Sequence, residues 1–93
     1  MRLNAQEQAA IREEIAAIDP LAPVVLFGSR TRDTAAGGDI DLLVVSPRFT
    51  LADELRAKVR ILDRIGWQKL DLIVVRDAAS PLAADALAEG IPL

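Results

Sequence analysis

The sequence predicts an α+β domain, a small mixed β-sheet of three or more strands packed with helices, and three observations predict it. First, Val24 to Phe27, Ile40 to Val45 and Trp67 to Val75 (centred on residues 70–75) are apolar, rich in β-formers and bounded by turn residues, the signature of buried strands. Second, only about ten residues separate the first two runs, whereas a parallel crossover needs a dozen or more; an antiparallel pair is expected there. Third, a full amphipathic helix separates the second run from the third, which permits a parallel relation. The 93 residues predict one domain, 1–93, and a hydrophobic fraction of 52% is enough to fill its core. With 3% aromatic residues that core must be aliphatic.

Taken in order, Asn4 is a suitable N-cap for a first helix, with Glu7 at the capping-box position. Ala10, Ile11, Ile15 and Ile18 form its apolar stripe, and Asp19-Pro20 ends it because the residue before proline is driven out of the helical region. Pro23 precedes the first strand and Gly28-Ser29 stops it; Ser46-Pro47 closes the second. Thr50 with Asp53 marks the start of the second helix, Leu51, Leu55, Val59, Leu62 and Ile65 mark its expected core face, and Gly66 its end. A last short helix opens at Ser80-Pro81, runs through Ala84, Leu87 and Ala88, and stops at Gly90.

Composition excludes several chemistries. There is no cysteine and no histidine, so thiol nucleophiles, disulfides, zinc sites of the usual kind and imidazole bases are ruled out. A metal would have to be hard and held by oxygen. A net charge of −3 gives no global attraction to nucleic acid. No signal peptide and no apolar run of membrane-spanning length are visible, which predicts a cytoplasmic protein without a membrane partner.

Three acids stand out against that background. Residues two apart in a strand share a face, so Asp39 and Asp41 project side by side at the mouth of an aliphatic strand, where like charges repel unless a cation compensates them. Asp71 alternates with Ile73 and Val75, and would join them if the third strand lies beside the second. Gly28-Ser29 offers close backbone approach and N–H donors to phosphate oxygens, with Arg30 or Arg32 adding charge. Phosphate held beside a divalent metal is the equipment of phosphoryl or nucleotidyl transfer. The same residues also fit a plainer arrangement, in which Asp39 caps the turn after Gly37-Gly38 and Asp71 lies on a solvated edge.

At Gly28-Ser29, Asp39-Ile40-Asp41 and Asp71 the chain resembles the DNA polymerase β-like nucleotidyltransferases, and Leu26 to Arg32 followed by Asp39 to Val44 is especially similar to the minimal nucleotidyltransferases (MNT). The resemblance implies a nucleotidyltransferase-like core in which Gly28 and Ser29 hold the triphosphate of ATP. Asp39 and Asp41 ligate Mg2+, two ions in all, Asp71 completes the catalytic triad, and Arg30 and Arg32 occupy basic positions of the loop. It further implies a protein adenylyltransferase that moves AMP from ATP to a tyrosine of a HEPN-domain toxin, as the antitoxin of a type VII-like toxin–antitoxin pair, with homo- or hetero-oligomers open. Asp33 stands where the family usually has glycine, Gly38 replaces a frequent serine, and the loop is one residue short. The alternative function is therefore a weak or inactive module that neutralises its partner by binding.

Overall fold

A computed structural model of the chain describes residues 3–28 and 40–93. Seven elements follow in the order α1 (Ala5–Ala16), β1 (Val24–Phe27), β2 (Ile40–Val45), α2 (Leu51–Ile65), β3 (Leu70–Val75), α3 (Pro81–Glu89) and β4 (Ile91–Pro92). Both long helices begin with the capping box their sequences call for. Asn4 accepts the Glu7 N–H at 2.7 Å while Glu7 accepts the Asn4 N–H at 3.0 Å. Thr50 and Asp53 repeat the exchange at 3.1 and 3.0 Å. Each pair satisfies two N–H groups that the helix itself leaves without partners.

The strands form one mixed sheet in the order β3-β2-β1-β4. β1 runs antiparallel to β2, with Phe27 opposite Asp41, and β2 runs parallel to β3, with Asp41 opposite Asp71. β4 adds to the far side of β1, antiparallel. It has two residues, one of them a proline without an N–H, so no local pattern announces it. The third strand begins at Leu70 rather than Trp67; Trp67 precedes it, exposed, its indole N–H donating to Asp63 at 2.9 Å.

Strand alternation divides the side chains between two faces. Val24, Leu26, Ile40, Leu42, Val44 and Leu70 turn to α1 and α2, where Ile11, Ile15, Ala57, Ile61 and Leu62 meet them. Each side chain fully withdrawn from water here contributes roughly 1.5–3 kcal/mol. The other face carries Leu43, covered by Ala83 and Ala86 of α3, with Phe27, Val45, Ile73 and Val75 half-buried around them. α3 packs chiefly on β1 and β2.

The buried face of α2 differs from the expectation. Ala57, Ile61 and Leu62 are the buried residues of α2, whereas Leu51, Leu55 and Val59 are exposed. Two apolar stripes overlap on this helix, and the position of the sheet, not helical period, selects between them. In α3, which contains Ala84, Leu87 and Ala88 as expected, the buried residues are Ala83 and Ala86. Nearly every residue of that helix is apolar, so its sequence specifies no single face.

Candidate functional site

The end of β1 and the beginnings of β2 and β3 meet on the α3 side of the sheet. Gly28 follows β1 directly and has φ of +78°, a conformation that L side chains rarely adopt. A second constraint acts at the same residue: a Cβ on Gly28 would collide with the carboxylate of Asp41. The glycine turn and the acid are therefore in van der Waals contact, and only a residue without a side chain lets Asp41 sit there. Asp41 is half-buried and Asp71 exposed.

Asp41 and Asp71 are direct neighbours in the parallel register. Adjacent strands lie about 4.8 Å apart and register partners share a face, so the two carboxylates stand side by side. Asp71 lies on the edge strand, as the plainer arrangement supposed, and is also beside Asp41, as a shared site requires. Two carboxylates on one face are suitable donors for a hard divalent cation such as Mg2+. Among the described residues no group of three potential ligands converges. Asp39, Ser29, Arg30 and Arg32, together with Asp33 and Gly38, lie outside the described residues.

Opposite this site, on the outer side of the helical layer, α1 and α2 enclose a cleft of about 200 Å³ lined by Glu14, Ala17, Ile18, Arg56 and Arg60. Arg64 of α2 donates to Glu13 at 2.9 Å and to Glu14, one of the lining residues, at 3.1 Å. It ties two helices together far from the acids.

One polar pair went unnoticed in the sequence. Asp19 and Ser46 are both buried, the Ser46 hydroxyl donating to Asp19 Oδ2 at 2.5 Å and accepting the Arg48 N–H at 3.1 Å. Asp19 Oδ1 takes the Leu21 N–H at 3.1 Å. The Ser46 hydrogen bond, with help from the Leu21 N–H and the Arg48 charge, holds the Asp19 carboxyl below its ordinary value of 3.8 against the opposing effect of burial. This pair joins the end of α1 to the far end of β2; it is scaffold. Asp before Pro and Ser before Pro were its only signals, and each is ordinary as a helix or strand terminator.

A four-stranded mixed sheet with α1 and α2 on one face, α3 on the other and an acid seated against a glycine turn defines a nucleotidyltransferase-like core. The family described as nucleotidyltransferase domain matches residues 9–92, from α1 through β4, and the chain belongs to that family. No curated protein matches the chain. No helix among the described residues is long and apolar enough to cross a membrane.

Proposed function

We propose that this chain is an ATP-dependent protein adenylyltransferase of the minimal type, acting as antitoxin on a tyrosine of a HEPN-domain toxin. The observation that carries the transferase reading is the alignment of Asp41 with Asp71 on one face, with Asp41 packed against Gly28. Asp41 and Asp71, with Asp39 from sequence, are assigned to hold Mg2+, and Gly28 and Ser29 to receive the triphosphate. Bound magnesium supplies positive charge where the triphosphate and the leaving pyrophosphate are negative. In the transfer, the acceptor hydroxyl oxygen bonds to the α-phosphorus, the bond to the pyrophosphate oxygen breaks, and the hydroxyl proton passes to solvent, with Asp71 assigned to assist its removal. Asp71 is assigned to the acceptor side of the site, a reading its exposure on the outer strand supports. The chain contains no tyrosine, so the acceptor is on another molecule.

The test is incubation with α-labelled ATP, magnesium and the toxin encoded beside this chain. Label is expected on the toxin and is expected to vanish with Asp41→Asn. Absence of label, with toxin still fully restrained by Asp41→Asn, contradicts transfer and supports neutralisation by binding, the reading that Asp33 and Gly38 favour.

A further inference from the structure

The face that carries Asp41 and Asp71 holds a positive charge at the same end. Lys69 directly precedes β3, and its carbonyl already accepts the Ile40 N–H at 3.2 Å, so pairing with β2 begins at this residue. Side chains two apart on an extended chain share a face, which puts Lys69 with Asp71 and turns Leu70 to the other side. Burial follows that alternation: Lys69 and Asp71 are exposed, and Leu70 between them is buried in the core beneath α1 and α2. Two residues of strand measure about 6.7 Å, a distance the four-carbon stem of lysine can span.

The elements of this face, β1, β2, β3 and α3, contain neither lysine nor arginine, and Arg48 and Arg76 follow the far ends of β2 and β3. Among the described residues, Lys69 is therefore the cation at the acid end of the face. Lys69 and Asp41 each have an interaction of their own. A charge still acts on neighbouring ions while so engaged, because Coulomb forces over several ångströms need no contact. Its effects on metal and on nucleotide have opposite signs. Toward a bare divalent cation Lys69 is repulsive, cancelling one of the two negative charges that attract the ion. Toward a triphosphate it is attractive, and its ammonium can donate charge-assisted hydrogen bonds to the oxygens.

We propose that Lys69 makes metal and nucleotide bind together, opposing occupation of Asp41 and Asp71 by magnesium alone and receiving phosphate oxygens of the nucleotide, a role that rests on the nucleotidyl-transfer reading of those acids. Lys69 thereby keeps the nucleotide-free acids from filling with metal and favours the metal–nucleotide complex. Such coupling is reciprocal: the factor by which magnesium raises ATP affinity is the factor by which ATP raises magnesium affinity. Removing the lysine charge should shrink that factor from both sides.

Lys69 is exposed, and its substitution should leave thermal unfolding unchanged. Manganese without nucleotide is the first probe, its free fraction read by electron paramagnetic resonance. Lys69→Met, which removes the charge, should bind manganese at least about threefold tighter than the native chain at low salt. Isothermal titration with ATP and magnesium should then show binding at least about threefold weaker. Lys69→Arg should return both to near-native values. General damage to the site weakens both, so the opposite signs separate charge from structure. Raising salt from about 0.01 M to about 1 M shortens the screening length from about 30 Å to about 3 Å and should erase the difference in manganese binding. Manganese affinity that is unchanged or lower in Lys69→Met overturns the proposal, as does unchanged affinity for ATP with magnesium. If Asp41→Asn abolishes nucleotide binding while Lys69→Met alters nothing, the magnesium site stands and Lys69 has no part in it. If the native chain binds neither manganese nor ATP, the site and the role of Lys69 fail together.

Discussion

Leu42 and Asp41 are adjacent in β2, yet they face opposite worlds. Under α1 and α2, Leu42 is wholly buried among Leu26, Ile61 and their neighbours. One residue back, Asp41 is half-buried beside Asp71, on a face that α3 covers only in part. The difference shows how a strand of six residues serves two ends: its two-residue period assigns cohesion to one face and charge to the other. Two ionised acids close together oppose folding, and the sealed face must outweigh them.

Substitutions that break the sealed face should cost the most. Leu42→Ala leaves a cavity between sheet and helices and should lower unfolding free energy in urea by about 3 kcal/mol. Gly28→Ala acts at the junction of the two faces, combining a strained φ with a collision against the Asp41 carboxylate. A loss of about 2 kcal/mol is expected, together with displacement of Asp41 visible as weaker nucleotide binding. Thr50→Ala removes the cap of α2, on the sealed side, and should cost about 1 kcal/mol without touching nucleotide binding.

The smallest effect expected is one of pH. Because the Ser46 hydrogen bond holds Asp19 below its ordinary value of 3.8, its contribution to stability is complete above that value and is lost as pH falls through the lower folded one. Thermal unfolding followed below about pH 4 should therefore depend less on pH in Asp19→Asn than in the native chain. The flattening should be partial. Asp53 is likewise held low, chiefly by the Thr50 backbone N–H, and titrates in the same window.

What the sequence made legible was local. Asn4 with Glu7 and Thr50 with Asp53 are complete within four residues, and the structure forms both capping boxes. The antiparallel β1–β2 pair followed from connection length alone. Where long-range placement decides, local pattern ran out. Leu51, Leu55 and Val59 have the period of a core face and do not occupy one. β4 is too short to carry a signal, and the bond from Ser46 to Asp19 spans 27 residues. The candidate site falls between these cases. Gly28 and Asp41 were visible as residue types, and the collision that makes glycine necessary was not. The meeting of Asp41 with Asp71 was conditional on strand order, which neither strand encodes by itself.

Under the proposed function Asp41 and Asp71 form one metal and nucleotide site. Isothermal titration with ATP and magnesium tests it directly, comparing the native chain with Asp41→Asn and Asp71→Asn. Asp71 is exposed on an edge strand, so its substitution should change stability by no more than about 0.5 kcal/mol. Magnesium-dependent binding is expected, weakened at least about tenfold by each substitution while the fold stays intact. Equal affinity in all three proteins, or binding indifferent to magnesium, would contradict it.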